Sequence, residues 1–407
     1  MPDLPWTCEP PLPPDLYARV VRRAIFDCCK WDPQVGDACV LARHPLVIRA
    51  EAWREVTAHA EALARETLGL EAALAERPRL HRRLGLPRAI RRALGTIASR
   101  GPSRGAARLV RFDFHFTDEG WRISEANTDV PGGLNEASGF PPLVAKRYPA
   151  FTPAGDPAAA YVSAAAPVAP ETGAHVAFVH ATAYSDDQQM MLFLARRFAH
   201  AGFHTHLASP SHLRWHDGRA HLEGPDWRGP LDLVVRFFPS EWLTLLPRAT
   251  DWPALFVGSR TPLSNPATAV LTQTKRMPLV LDALPFAAPA WHALLPETRD
   301  PRDVPRRSTD DWVLKPALGR VGEDVLVPGV LDRKRDRQIR RAARFWPSQW
   351  VAQRRFQVVP LEIAGERRYP CLGVYTLDAR VVGAYGRVAS RPLIDSQAED
   401  AAVLVAS

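Results

Sequence analysis

The feature of the sequence that most constrains the fold is a pair of predicted strands between residues 109 and 127. In the first strand, polar and aromatic residues alternate over 111–116 (RFDFHF). Because successive side chains of a strand point to opposite faces, Arg111, Asp113 and His115 share one face and the three phenylalanines share the other. The pattern therefore predicts a β-hairpin with one polar face and one aromatic face.

The loop of this hairpin determines which residues face each other. The second strand is WRISEAN (121–127), and residues 118–120 lie between the strands. A three-residue hairpin loop favours a left-handed residue in its last position, which Gly120 supplies. The facing pairs predicted from this loop length are Asp113 with Glu125 and Arg111 with Asn127.

Two facing carboxylates indicate a cation between them. Asp113 and Glu125, set directly opposite, would otherwise repel each other. Together with the amide carbonyl of Asn127 they form a set of hard oxygen ligands, which suits Mg²⁺ better than zinc, and Arg111 beside them is placed to neutralise a phosphate. The alternative is an edge hairpin with a solvated polar face, in which Arg111 pairs with Asp113.

A second candidate site surrounds Lys315. The segment WVLKP (312–316) is strand-like, and the glycine loop ALGRVG (317–322) follows it. This is not a Walker A loop, which would open a helix. A glycine loop between strands can nevertheless fold over nucleotide phosphates while a strand lysine reaches their oxygens. A flexible hairpin turn is the alternative.

Lysine is rare in this chain, which has only five, and this draws attention to Lys275 as well. Asn265 and Pro266 suit the start of a helix that would carry Lys275, and Pro278 should end or kink that helix. The alternative for Lys275 and Arg276 is a solvated helix edge.

The pattern along the chain predicts an α+β fold with four regions. A helical region spans 1–105, the hairpin and a linker span 106–170, a small Rossmann-like α/β unit spans 171–262, and the region with both lysines spans 263–407. The predicted helices are 16–29, 51–74, 88–99 and 186–201. The predicted strands after the hairpin are 175–181, 231–237, 254–257, 312–316, 324–327, 350–356, 373–377 and 381–387, and the Ala- and Pro-rich segment 154–174 is predicted to be a linker.

Composition narrows the class of protein. No apolar run is long enough to span a membrane and the start does not resemble a signal peptide, so we expect a cytoplasmic protein. The five cysteines form no C-x-x-C pair, which argues against a zinc site or a disulfide framework. The net charge of +8 comes mainly from scattered arginines. The one dense basic run, 333–344, contains acids and is interpreted as a solvated helix face rather than a nucleic-acid surface.

Taken together, the motifs resemble those of glutathionylspermidine synthase and its relatives. The hairpin residues are similar to the magnesium and phosphate motif of that family, and 315–322 is similar to its Lys-Pro-x-x-Gly-Arg-x-Gly loop. Weaker similarities are found at 31–37, 236–242 and 383–387. The resemblance covers almost the whole chain and concerns the synthetase half of that enzyme. We expect no Cys-His amidase in this chain.

The resemblance implies an ATP-grasp fold, with the Rossmann-like unit as its inserted preATP-grasp part, and the use of ATP and Mg²⁺. It implies Asp113, Glu125 and Asn127 as metal ligands and Arg111 as the catalytic group that stabilises the transferring phosphoryl group or the oxyanion. The remaining implied residues are Lys275, Lys315, Gly319, Arg320, Gly322 and Arg387 around the nucleotide and Glu241 near an amine substrate. Residues 128–133 depart from the family pattern, because hydroxyl residues next to the substrate site are missing.

The function that follows is ligation of a carboxylate to an amine through an acyl phosphate, with release of ADP and phosphate. The expected partners are a small-molecule or peptide carboxylate and an amine, without a membrane. One alternative is a nucleotide-binding protein that has lost catalysis. The intact hairpin argues against this alternative. The other, less favoured alternative is a basic nucleic-acid-binding protein.

Overall fold

The computed structural model describes residues 4–167, 173–305, 310–319, 324–363 and 365–406. Over these residues the fold is α+β, as predicted, with helices and mostly antiparallel sheets. Arg320 and Gly322 of the predicted glycine loop fall outside the described residues.

Helices dominate the first part of the chain, where apolar residues recur at helical spacing. The α-helices in the described ranges are α1 (Pro14–Asp27), α2 (Ala50–Ala75), α3 (Arg88–Leu94), α4 (Ile97–Arg100), α5 (Leu134–Ala145), α6 (Pro157–Ala165), α7 (Ser185–His200), α8 (Val270–Gln273), α9 (Pro289–Leu294) and α10 (Arg333–Phe345). None of the helices that the structure describes has the length and apolar character needed to cross a membrane.

The strands form several sheets, and they are, in chain order, β1 (Trp6–Cys8), β2 (Gln34–Val35), β3 (Ala38–Cys39), β4 (Leu46–Ile48), β5 (Leu109–Thr117), β6 (Gly120–Asn127), β7 (Phe151–Pro153), β8 (His175–His180), β9 (His204–Ala208), β10 (Leu213–His216), β11 (Arg219–Glu223), β12 (Arg228–Pro230), β13 (Leu233–Phe237), β14 (Leu263–Ser264), β15 (Thr298–Arg299), β16 (Trp312–Pro316), β17 (Trp350–Arg354), β18 (Leu361–Ile363), β19 (Glu366–Leu377), β20 (Arg380–Ala389), β21 (Glu399–Ala401) and β22 (Val403–Ala406). Three sheets matter for the site. The central one has the order β21-β20-β19-β5-β6, a smaller one has the order β15-β17-β16, and a third has the order β14-β13-β8-β9.

The central sheet separates a core from a cleft. Phe112 and Phe114, on the aromatic face of β5, are fully buried and belong to the same apolar cluster as Leu63 and Leu70 of α2. Their burial fixes which face of the hairpin looks away from the core, because side chains alternate along a strand. The polar residues of β5 therefore point into the cleft.

The predicted facing pairs of the hairpin are confirmed, but the loop is not as predicted. Thr117 pairs with Gly120, so the loop has two residues rather than three. A bulge in β6 then inserts Ser124 between the pairs Phe114–Ile123 and Asp113–Glu125, which restores the predicted pairing at the polar end of the hairpin. The two differences compensate, so Asp113 still faces Glu125 and Arg111 still faces Asn127.

The sheet β14-β13-β8-β9 is parallel throughout, with α7 connecting β8 to β9. The strands predicted at 175–181 and 231–237 are its two central members. The predicted strand 254–257 is wrong, because residues 252–255 form a 3₁₀ turn. The predicted strand 324–327 is reduced to a single bridge between Leu314 and Leu326.

The linker predicted at 154–174 instead contains α6. Asp156 accepts a hydrogen bond from the backbone N–H of Ala159 at 3.0 Å, and Pro157 occupies the first turn. Both are favourable helix-start features, and alanine is the best helix former. The Pro- and Ala-rich composition was therefore a helix signal over Pro157–Ala165 and not a sign of an exposed crossing.

Asn265 does not cap a helix, contrary to the sequence-based prediction. The helical turns that follow make no side-chain cap bond, and α8 ends at Gln273, before Lys275. The Asn265 amide instead donates to the carbonyls of Leu109 at 2.7 Å and Thr128 at 3.0 Å. It also accepts from the Leu109 N–H at 3.0 Å. The Asn265 side chain therefore bonds to the first residue of β5 and to the residue that follows β6, and it does not cap a helix.

Candidate functional site

A cavity of about 1230 Å³ opens over the polar face of the central sheet. The central sheet contributes residues to it, as do strands β16 and β17 and the turns after Asn127, β8 and β13. The predicted site residues that line it are Arg111, Asp113, Glu125, Asn127, Glu241, Lys315, Gly319 and Arg387. Residues predicted from segments far apart in the sequence are thus brought to one cavity.

The three proposed metal ligands converge at the open end of the hairpin. The amide nitrogen of Asn127 lies 3.2 Å from Asp113 Oδ2 and 3.4 Å from Glu125 Oε1. One polar atom is thus shared by two carboxylates that face each other across the ladder. Within the described residues, no group of three or more histidine, cysteine, aspartate or glutamate side chains is placed to hold a metal ion, and this set has two carboxylates and an amide.

Arg111 is held rigidly beside these carboxylates. Its Nε donates to Asp113 Oδ1 at 2.7 Å, its Nη2 to Asp113 Oδ2 at 2.9 Å, and its Nη1 to the carbonyl of Gly132 at 2.8 Å. The guanidinium carbon also lies 5.6 Å from the ring centroid of Tyr385. The pairing of Arg111 with Asp113 that we considered as an alternative is present. The hairpin is not a free edge on that side, because β19 pairs with β5.

The two lysines approach the second strand of the hairpin from different segments, Lys275 at the Glu125 carboxylate and Lys315 at the backbone of Ser124. Lys275 Nζ lies 3.1 Å from Glu125 Oε2 and donates to the Gly319 carbonyl at 3.0 Å. Lys315 Nζ donates to the Ser124 carbonyl at 2.8 Å and to Gln353 Oε1 at 2.7 Å. The bulge at Ser124 therefore supplies the carbonyl that fixes Lys315, and Lys275 contacts the glycine loop although it is not on a helix.

The charges of this cluster shift one another's pKa values. Burial by itself raises the pKa of Glu125, but Lys275, Lys315 and Arg111 outweigh burial and lower that pKa to about 2. Burial lowers the pKa of Lys315 to about 8, against the attraction of Glu125. Burial raises the pKa of Asp113, opposed by Arg111. A lysine whose pKa lies near neutral pH, next to a glutamate that stays ionised, is typical of functional sites.

The other predicted residues lie at the edges of the cluster. Arg387 Nη2 donates to the carbonyls of Asp395 at 2.6 Å and Ala398 at 3.2 Å, so it is oriented by the segment before β21. Glu241 lies on the 3₁₀ turn after β13 and lines the cavity.

Lys30 is a residue of this cavity that sequence reasoning missed. Its Nζ lies 2.6 Å from Glu136 Oε1 and 3.0 Å from Asp400 Oδ2. These carboxylates outweigh burial and raise its pKa. Asp400 also accepts from the Tyr385 hydroxyl at 2.6 Å, which links Lys30 to the ring beneath Arg111. The scarcity of lysine was the available signal, because two of the five lysines line this cavity and Lys275 contacts Glu125, which also lines it.

The start of α5 is a second feature that the sequence did not reveal. Gly133 takes a left-handed conformation at φ 85° before the helix, and no side chain caps the first turn. Asn135 in that turn is only 3% exposed and lines the cavity, and its side chain has no hydrogen-bond partner among the described residues. A buried amide beside uncapped backbone N–H groups favours an anionic group of a ligand.

Gly373 makes room for the arginine. It pairs with Asp113 across β19 and β5, and a Cβ there would lie 2.9 Å from Arg111 Cδ and 3.2 Å from Asp113 Oδ1. Any larger residue would displace the ion pair. The hairpin sequence alone contains no sign of this requirement, because the glycine lies on a partner strand more than two hundred residues away.

Comparison with known proteins identifies the family of the chain and a solved structure of similar fold. A glutathione synthetase-like effector from Globodera pallida, solved in its apo form, has a similar fold, with a TM-score of 0.64 at 10% identity over 96% of this chain and 97% of that one. A protein assigned as a gamma-glutamylcysteine synthetase from Methylobacillus flagellatus KT has a TM-score of 0.45 at 14% identity, over 82% of this chain and 88% of that one. No curated protein matches the chain significantly. The family model described as glutathionylspermidine synthase preATP-grasp matches residues 44–402, and the chain therefore belongs to that family.

Proposed function

We propose that this protein is an ATP-grasp ligase that joins a carboxylate to an amine through an acyl phosphate, releasing ADP and phosphate. In this proposal the sheet β14-β13-β8-β9 is the inserted Rossmann-like unit. The observation that carries the proposal is a cluster at two facing carboxylates, in which Arg111 pairs with Asp113, Lys275 pairs with Glu125, and Lys315 bonds to the adjacent Ser124 carbonyl. Membership in the synthetase family supports it.

The hairpin fits Mg²⁺ by its donor set. Asp113, Glu125 and Asn127 present oxygen ligands that converge on one point, and rotation of the Asn127 amide would exchange its nitrogen for its oxygen there. A magnesium ion held by these residues would offset charge on the phosphates of ATP. Lys275 and Lys315, which now neutralise Glu125, would then be free to bind phosphate oxygens.

The proposed reaction has two steps, and Arg111 acts in the first. A carboxylate oxygen of the substrate attacks the terminal phosphorus of ATP, the bond to ADP breaks, and Arg111 stabilises the charge on the transferring group. The amine then attacks the acyl carbon, phosphate leaves, and the amine loses a proton. Arg111 suits this task because Asp113 and the Gly132 carbonyl hold it in one orientation before any ligand binds.

The start of α5 is the proposed position of the reacting carboxylate. The Gly132 carbonyl accepts a hydrogen bond from Arg111, and Asn135 in the next turn lines the cavity. An anion at this helix terminus would therefore be within reach of both the arginine and the uncapped N–H groups. Glu241, across the cavity, is proposed to face the amine.

The first experiment is a melt of the protein with ADP, with and without Mg²⁺. A ligand at about one hundred times its dissociation constant stabilises the folded state by about 2.7 kcal/mol. We expect a magnesium-dependent rise in the melting temperature that the double variant Asp113→Ala, Glu125→Ala loses. A magnesium-independent rise should remain in that variant, since the lysines are still present.

The matched control is Asp15→Ala with Glu51→Ala, which removes two exposed carboxylates from α1 and α2. It should keep the magnesium-dependent rise. Products are then identified with carboxylate and amine pairs, where ADP and phosphate are expected. Formation of AMP and pyrophosphate, or nucleotide binding without turnover of any pair, would contradict the ligase proposal.

A further inference from the structure

Helix α10 carries a row of cations that nothing in the described structure neutralises. Its exposed basic side chains without an ion pair among the described residues are those of Arg333, Lys334, Arg337, Arg341 and Arg344, while the exposed Arg335 pairs with Asp324. At 100° per residue these five fall on one side of the helix. We name them the α10 stripe. No ion pair joins any member of the stripe to a carboxylate in the described part of the chain.

The acids near α10 are already engaged elsewhere. Asp336 pairs with Arg340 at 2.6 Å, and Asp324 pairs with Arg335, both on the flanks of the helix. The carboxylate of Asp332 accepts the backbone N–H groups of Lys334 and Arg335 as the helix cap. The run is a solvated helix face that contains acids, as the sequence indicates, but those acids leave the stripe without ion pairs in the described part of the chain.

Two exposed aromatic rings stand at the end of the stripe. Phe345 is 61% exposed and Trp346 is 58% exposed, with ring centroids 6.2 Å apart. The guanidinium carbon of Arg341 lies 5.6 Å from the Phe345 centroid. Large apolar side chains rarely remain this exposed side by side unless they contact a partner.

We propose that the α10 stripe and the Phe345–Trp346 pair form a binding surface for single-stranded nucleic acid. Successive arginines four residues apart are about 6 Å apart along the helix, a distance that a flexible phosphate backbone can match. Bases can stack on exposed aromatic rings whatever their sequence. Arginine, which makes up four of the five members, also stacks on bases and pairs with phosphates.

The observations favour this partner over a membrane or an acidic protein. Ile339 and Ala343 of α10 are buried against Leu326 and Trp350, and the large apolar side chain that α10 exposes, Phe345, lies at its end, so the helix has no continuous apolar face to enter a bilayer. An acidic protein would neutralise the stripe but would not by itself need the adjacent aromatic pair. Leu314 of β16 packs against the buried face of α10, and because side chains alternate along a strand, Lys315 points to the other face of the sheet β15-β17-β16. The stripe therefore lies on the side of that sheet away from Lys315.

The test is fluorescence anisotropy of a labelled single-stranded RNA of about 12 nucleotides, titrated with the full chain at several salt concentrations. The logarithm of the binding constant should fall with the logarithm of salt concentration at a slope of about −0.7 per phosphate contacted. Replacing two members by Arg337→Gln with Arg341→Gln should reduce that slope by about 1.4. Phe345→Ala with Trp346→Ala should weaken binding about 5-fold or more at an unchanged slope.

The matched control removes the same charge from another exposed helix face, by Arg19→Gln with Arg22→Gln on α1. It should leave the slope and the affinity nearly unchanged. An equal loss in the control would show that net charge alone is responsible and would overturn the proposal. Absence of RNA binding, with binding instead to phosphatidylserine vesicles or to a polyglutamate peptide, would overturn it as well.

Discussion

Replacing Arg236 with methionine should be among the most destabilising single changes outside the apolar core. The side chain of Arg236 is 0% exposed and that of its partner Asp129 is 1% exposed. The substitution leaves the Asp129 carboxylate buried with only the backbone N–H and the hydroxyl of Ser240 as donors, at 2.8 and 2.7 Å. It also removes the donor to the Asn265 carbonyl at 3.1 Å.

Removing one partner of a buried ion pair typically costs about 3–5 kcal/mol, because the other charge remains uncompensated. With an unfolding entropy of about 2.1 cal/mol/K per residue, the 407 residues unfold with about 0.85 kcal/mol/K. A loss of about 4 kcal/mol therefore lowers the melting temperature by about 5 °C for one cooperative transition. Urea unfolding followed by tryptophan fluorescence measures the same loss as a lower midpoint at an unchanged slope.

The double variant Asp129→Asn, Arg236→Met, compared with the two single variants, measures the interaction free energy between these two side chains. Because it buries no isolated charge, its loss should be smaller than the sum of the two single losses by about 1–3 kcal/mol. Arg23→Met, in the half-exposed pair of Arg23 with Asp27, is the control and should cost about 0.5 kcal/mol or less. A loss below about 1 kcal/mol for Arg236→Met, or strict additivity in the double variant, would refute the reasoning.

Three further results are expected. Gly373→Ala should abolish magnesium-dependent nucleotide binding while the far-ultraviolet circular dichroism is retained, because its Cβ would lie 2.9 Å from Arg111 Cδ; binding at the wild-type level in the melt would contradict this. Nucleotide affinity should fall as pH rises through about 8, where Lys315 loses its proton, whereas Lys315→Met should give a flat profile. The effect of Lys315 on the free energy of unfolding has the opposite sign. In the unfolded chain the lysine keeps its proton up to about pH 10.5, whereas in the folded protein it loses it at about 8. The folded state therefore becomes more stable as the pH rises between these two values. Asn265→Ala should lower the urea midpoint by removing bonds to Leu109 and Thr128, and hydrogen exchange should accelerate at both ends of the hairpin; unchanged exchange there would show that the amide does not hold them.

The facing pairs of the hairpin were predicted from a three-residue loop and are present although that loop prediction is wrong, whereas the two faces of the strand followed from alternation alone. Asp113 faces Glu125 although the loop has two residues, because the bulge at Ser124 adds the missing position. Alternation of aromatic and polar residues is a property of the local sequence, and burial of Phe112 and Phe114 confirms it. Bulges depend on both strands and on what they pack against, so their position could not be deduced from the loop residues.

Other local signals failed where tertiary contacts competed with them. Asn265 has a side chain suited to capping, yet it bonds to the hairpin instead. Lys275 was placed on a helix by that supposed cap, and it reaches Glu125 from beyond the helix end. The segment 154–174 was judged by composition, and its helix signal at Asp156 was overlooked.

The sequence by itself determined the α+β class, the polar face of the hairpin and the chemical types of the residues on it, because these depend on alternation and on side-chain chemistry. Only the tertiary structure decided which distant groups complete the cluster. Lys30, Asn135 and Gly373 reach the same cavity as Arg111 from separate elements. Their approach depends on how sheets and helices pack around the buried face of β5, and packing of that kind depends on contacts between residues that are far apart in the sequence.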